Sequence, residues 1–287
     1  MFNDPEIVDL LKSRFVCAGI AHNGAGRRKD AEGEFANKFI GSGGTLQGLH
    51  VVGPSGELVA YVYDFRSEPV LAMLQKALKN FKPVEAPPID FSKKDPRFAL
   101  PEGATVVDVT TKIMGGYGPA KKDESTVRGK MEKAWTSSLG REHLWIRKDE
   151  AEALAGGTLP ESLKKRIVRH HLVDNTRGTP TPWRDTEIKK WDLTLKDGRL
   201  AGSVHVETES GDRGFRGDLL GFVEAKEGRL TRFDLAARGE FWGEGKHTPG
   251  APQGKFPMAW AFRLSDPADF LYSLVPDAIR GHSDYLR

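Results

Sequence analysis

The chain has 287 residues, 38% of them hydrophobic and 29% charged, a balance that fits a soluble globular protein and excludes a disordered one. The formal net charge of +3 makes no electrostatic case for a nucleic-acid partner. The single cysteine, Cys17, excludes an intrachain disulfide, a CxxC redox pair and a cysteine-rich zinc site.

"NDPEIVDLLKSRF" opens with a helix signal: Asn3 or Asp4 can cap, Pro5 suits the first helical position, and Ile7, Leu10 and Leu11 share a face. "FVCAGIA" reads as a buried strand, in which Cys17 is a small hydrophobe rather than a nucleophile. "GAGRRKD" is a loop, and "DAEGEFANKFIG" a helix with Phe35 and Phe39 one turn apart. "GSGGTLQG" is Gly-rich without a phosphate-loop spacing and reads as a flexible loop. "LQGLHVVGPSGELVAYVYD" is a β-hairpin turning at "PSG". "SEPVLAMLQKALKNF" is a helix capped by Ser67, with Val70, Leu71, Leu74, Leu78 and Phe81 on its inner face.

The Pro-rich stretch "KPVEAPPIDFSKKDPRFALPEG" denies regular structure and is the best boundary in the chain. The expected organisation is residues 1–82, a linker over 83–101, and residues 102–287. Beyond the linker, "ATVVDVTTKI" alternates as a strand, "EHLWIRKDEAEALAGG" pairs a short strand with a helix, and "LPESLKKRIVRHHLVDN" is a second helix. After Pro182 the pattern is all-β, with hairpins at Asp197-Gly198 and Glu227-Gly228 and a last strand, "FPMAWAFRLS". The fold class is α+β, its C-terminal part a curved antiparallel sheet or small barrel with two helices.

"DPEIVDLLKSRFVCAGI" followed by "LHVVGPSGELVAYV" resembles the helix–strand unit and closing hairpin of the thioredoxin-like fold without its first strand. The resemblance implies fold and not activity. The family's two cysteines are missing, and Leu46 and Gln47 stand where it places a cis-proline before the hairpin. The C-terminal part is similar to uncharacterised domains that follow thioredoxin-like modules in some bacterial proteins, and that similarity implies no activity.

Three polar groups stand out. "RIVRHHLVDNTRG" offers His170 or His171 as a ligand or general base oriented by Asp174, with Arg177 nearby. The structural alternative is a core histidine bonded to a backbone carbonyl, an Asx turn at Asp174-Asn175, and an Arg177–Asp174 pair. "GSVHVETES" sets His205 and Glu207 on one side of a strand, a geometry used by metal sites and equally shown by a solvated face. "RGEFWGEGKHTPG" alternates Arg238, Glu240, Trp242 and Glu244, which either line a ligand pocket or belong to a strand edge with Trp242 over the core. The basic clusters "GRRKD" and "SLKKRIVRHH" read as solvated faces.

Two functions follow. One is a binding or scaffolding protein, a redox-inactive thioredoxin-like module joined to a β domain that holds a small molecule or protein partner. The other is an enzyme with its site in the C-terminal domain, for which a divalent metal on His171, His205 and Glu207 is the natural cofactor. No apolar run approaches a membrane span, and "MFNDPEIVDLL" lacks the pattern of a signal peptide. An intracellular, cytoplasmic protein is expected, although an exported one with its leader removed would read the same.

Overall fold

The computed structural model describes residues 4–19, 28–43, 47–64, 66–85, 90, 92–93, 95, 97–117, 134–268, 275–280 and 284–286. Backbone contacts divide the α+β chain into two compact units, Met1–Ala99 and Leu100–Arg287.

In the first unit, α1 (Pro5–Arg14) is capped by Asp4, whose carboxylate accepts from the Glu6 amide. The same carboxylate bonds Ser67, which pulls it below its ordinary pKa. Helix α2 (Ala31–Gly41) starts at Asp30, which accepts from the Gly33 amide. Strands β1 (Leu49–Val52) and β2 (Leu58–Val62) form the expected hairpin. Helix α3 (Ser67–Asn80) begins one residue earlier than a Ser67 cap would set it, and Ser67 lies inside the helix. Val70, Met73 and Leu74 of α3 pack with Ile7 of α1 against the half-buried hairpin.

Two further expectations, on residues 15–21 and on Phe81, also fail in this unit. The buried strand expected over residues 15–21 is not formed in its described part: residues 15–19 pair with no strand among the described residues, Val16 is fully exposed and Cys17 is exposed, while residues 20 and 21 lie outside the described residues. Only Phe15 reaches the core. A short apolar run does not specify a partner, and the nearby hydrophobic demand is already met by α1, α3 and the hairpin. Phe81 also leaves the inner face and is 40% exposed, because α3 ends at Asn80 and the chain turns extended. Most of "GAGRRKD" and residues 44–46 lie outside the described residues.

The second unit is organised by one antiparallel sheet of eight strands. Its order runs β4 (Gly140–Ile146), β3 (Thr105–Ile113), β10 (Lys255–Leu264), β9 (Arg229–Trp242), β8 (Gly214–Lys226), β7 (Arg199–Glu207), β5 (Ile188–Trp191), with β6 (Thr194–Lys196) also on β7. The hairpin turns at Asp197-Gly198 and Glu227-Gly228 carry positive φ at both central residues, as their sequences require. Alternation then sorts the side chains. Val107, Val109, Leu144, Val204, Phe215, Phe233, Phe241, Trp260 and Phe262 fill the inner face. Gly217 and Gly239 sit in register, where a Cβ would come within 2.4 and 2.1 Å of the facing backbone. Glycine at both positions lets the strands approach and curl.

Helix α4 (Lys148–Ala155) packs on β8 and β9 through Ala151 and Leu154. Helix α5 (Glu161–Arg166) runs into a π turn, Ile167–His171, that contacts both β4 and β5. These edge strands do not pair with each other among the described residues, so the curved sheet is not a closed barrel. Among the described residues no helix is long and apolar enough to cross a membrane.

Candidate functional site

Strand alternation also builds an outer face. On β4, β3 and β10 the register lines up Arg141–Thr110–Ala261 in one row and His143–Asp108–Arg263 in the next. Asn175, the 178–180 segment that follows the π turn, Val275 and Asp277 wall these rows in. The result is a cleft of about 990 Å³, at the upper end of the range of small-molecule pockets.

Its charges are arranged, not random. Asp108 accepts from Ser265 Oγ and lies 3.5 Å from His143 Nε2 and 4.0 Å from Arg263 Nη2. Glu142 accepts from the Asp277 amide at 3.0 Å and so holds the C-terminal segment at the cleft wall. Arg141 and Arg263 are exposed, and Arg141 has no ion-pair partner among the described residues. The cleft thus offers two accessible cations, a His–Asp pair and hydrogen-bonding groups on a small-residue floor at Ala261. That combination can hold and orient a small polar molecule.

A second cavity, of about 210 Å³, lies between α5, its π turn and Asp284 and Tyr285 of the tripeptide Asp284–Leu286. This tripeptide is clamped. Arg166 Nε donates to the Tyr285 carbonyl at 2.6 Å, Arg169 Nη1 meets Asp284 at 2.7 Å, and Arg147 Nη1 donates to the Leu286 carbonyl. The Arg166 guanidinium also donates to Glu150 at 2.7 and 3.0 Å, with both side chains buried. Burial pushes the Glu150 carboxyl up, but bonds from Arg166 and Ser162 outweigh it and hold the group below its ordinary value. "SLKKRIVRHH" is therefore not simply a solvated face: Lys164, Lys165 and Arg169 pair at the surface, whereas Arg166 is core. In the other basic cluster, Arg28 is mostly buried and pairs with Asp30 and Glu32.

The histidines take their places from the π turn. Its Leu172 N–H reaches back to the Ile167 carbonyl, and both His170 and His171 are buried. His171 Nε2 lies 2.7 Å from the Tyr285 hydroxyl, so its partner is a side chain and not the expected backbone carbonyl. Its Nδ1 has no hydrogen-bond partner among the described residues. Burial, reinforced by His170, Arg166 and His143 nearby, drives the His171 pKa well below the usual histidine value and keeps the ring neutral. Asp174 accepts from the Thr176 amide in an Asx turn and pairs with Arg177.

His205 and Glu207 lie elsewhere, on the outer face of β7. His205 Nε2 is 3.2 Å from Glu207, and its Nδ1 is 3.3 Å from Arg216, so both ring nitrogens are engaged locally. Among the described residues no group of three or more His, Cys, Asp or Glu side chains is arranged to hold a metal ion, and His171, His205 and Glu207 form no such group.

Glu240, Trp242 and Glu244 line neither cavity. Strand β9 is central, not an edge, and Trp242 sits on its outer side. There its Nε1 donates to the Gly211 carbonyl at 3.0 Å and its ring covers Gly214. Glu240 is exposed, 3.7 Å from Lys255, and Glu244 accepts from the Gly250 and Ala251 amides.

Sequence reasoning missed Asp108, Arg141, His143 and Arg263. Their signal was present as polar residues interrupting apolar strands in "VVDVT", "REHLW" and "FRLS", but their juxtaposition depends on a register that joins distant segments. Comparison with known proteins gives no matching family model, no matching curated protein and no matching solved structure.

Proposed function

We propose that this chain is a binding protein whose second unit holds a small polar molecule in the cleft above β4, β3 and β10. The observation that carries this reading is the cleft itself: about 990 Å³, floored by Thr110 and Ala261 and flanked by Arg141, Arg263 and the His143–Asp108 pair. Arg141, exposed and without an ion pair among the described residues beside such a hollow, favours a ligand that brings its own acceptors.

The first unit is read as a thioredoxin-like module without redox chemistry. Its hairpin and α3 support that reading, and the missing strand at residues 15–19 counts against it. Disulfide exchange within the chain needs a second thiol that the sequence does not contain.

Ala261→Trp tests the cleft. Ala261 faces outward and is exposed, so an indole there intrudes into the hollow without disturbing the core. In a thermal-shift screen of small polar metabolites, the wild type should gain stability from at least one compound, and Ala261→Trp should lose that gain while melting as before in its absence. Compounds that stabilise both proteins equally would place the binding surface elsewhere.

A further inference from the structure

Among the described residues β4 closes one edge of the eight-stranded sheet, so one row of its backbone groups faces away from β3. Hydrogen bonds identify that row. The Trp145 amide donates to the Tyr285 hydroxyl at 3.4 Å and the His143 amide to the Glu142 carboxylate at 2.8 Å, both away from the ladder. Alternation puts Arg141 in the same row.

Unpaired edge groups are a template for another chain, and proteins cover them. On β4 the covering is selective. The Trp145 carbonyl accepts from Arg166 Nη1 at 3.1 Å, so both of its backbone groups are taken, and the His143 amide is plugged by its own neighbour Glu142. The Arg141 N–H and C=O have no hydrogen-bond partner among the described residues, and its side chain no ion pair. This open pair borders the cleft, which Arg141, Glu142 and His143 line together with Gly178, Thr179 and Pro180.

One residue of an extended peptide has what the open pair needs. Laid antiparallel to β4, its N–H and C=O exchange two bonds with Arg141, about 5.5 Å away between Cα atoms, and its side chain stands on the same face as the Arg141 guanidinium. Opposite charges in such a cross-strand pair attract and like charges repel. The second cation of that face, Arg263, has a side chain 78% exposed, 4.0 Å from an Asp108 that already accepts from Ser265 and lies beside His143. Thr110 and Ala261, next to Arg141 in the row across the sheet, are small and leave that face open. The acids that line the cleft, Asp108, Glu142 and Asp277, limit the preference for a carboxylate to the one position opposite Arg141.

We infer that the open edge of β4 binds a short extended peptide by strand addition, with a glutamate or aspartate of the peptide facing Arg141. Backbone bonds supply the affinity and the acid supplies the choice. The inference rests on the cleft reading and names the class of polar molecule that the cleft takes.

The test is fluorescence-polarisation titration of the full chain with capped, dye-labelled pentapeptide pools, random except for a central Glu, Gln or Lys. The Glu pool should bind about tenfold more tightly than the Lys pool, with the Gln pool between them. Arg141→Glu changes an exposed side chain and should invert that order. N-methylation of the central amide in the Glu pool should weaken binding about three- to tenfold, the loss of one backbone hydrogen bond. Absence of binding by every pool, equal binding of the three, an unchanged order in Arg141→Glu or indifference to N-methylation would overturn the inference. If small polar metabolites then still bound in a manner lost in Ala261→Trp, the cleft reading would survive without it.

Discussion

Replacing Glu150 with alanine should be the most damaging single change in the second unit away from its apolar core. Glu150 and Arg166 are each about 1% exposed at the side chain, and their contact is a two-point bond at 2.7 and 3.0 Å. Without the carboxylate, Arg166 keeps only the carbonyls of Trp145 and Tyr285, and Ser162 loses its acceptor. Breaking a buried pair from one side costs about 3–5 kcal/mol, because a buried charge is left uncompensated. For a unit of this size each kcal/mol moves the melting point by about 2–4 °C, so Glu150→Ala should melt about 6–20 °C lower. The double variant Glu150→Leu/Arg166→Met removes both charges and should recover most of that loss. Acid should weaken the pair. The folded pKa of Glu150 lies below its unfolded value, so its contribution is full above the unfolded value and is lost as pH falls through the folded one. Calorimetry that follows the second unit's transition is the assay. A drop of less than about 2 °C, or a double variant no better than the single one, would refute the argument.

His171 should make stability fall with acid from a higher pH than the carboxylates do. Its folded pKa is depressed, so below the ordinary value of 6.5 the unfolded chain binds a proton that the folded chain refuses. Stability should then decline by up to about 1.4 kcal/mol per pH unit, and His171→Gln should flatten that slope in urea titrations between pH 7 and 5. Tyr285→Phe should cost about 1 kcal/mol for the hydroxyl that meets His171, and Tyr285→Ala about 3–5 kcal/mol, because the ring is fully buried against Val106 and Trp145. Equal effects of the two would mean that the tripeptide is not packed as described. Glu227 holds φ of 53° in a turn that favours Asn or Gly, so Glu227→Asn should stabilise by about 0.5–1 kcal/mol in denaturant melts. A loss would mean that the Glu227 side chain matters more than its backbone.

What the sequence made legible follows from how local each signal is. The turns at Asp197-Gly198 and Glu227-Gly228 were readable because a two-residue loop with both φ positive demands such residues. The strands around them were readable because one face is buried, and the Asp174–Arg177 contact because its partners are only three positions apart. The cleft was not readable. His143 meets Asp108 only through the β3–β4 register, and Asp277 reaches Glu142 across more than half of the unit. Trp242 misled because alternation alone does not say which face of a central strand is the inner one. The strand expected over residues 15–21 failed in its described part, residues 15–19, for a related reason: hydrophobicity without a partner does not define a sheet.

The claim on which the functional reading depends is that a small polar molecule occupies the cleft. It is tested most directly by amide chemical-shift perturbation with isotopically labelled protein and a pool of small polar metabolites. The account predicts shifts concentrated at Thr110, Arg141, His143, Gly178 and Ala261, absent in Ala261→Trp. Perturbations centred instead on the outer face around His205 and Trp242, or no perturbation from any compound, would contradict it.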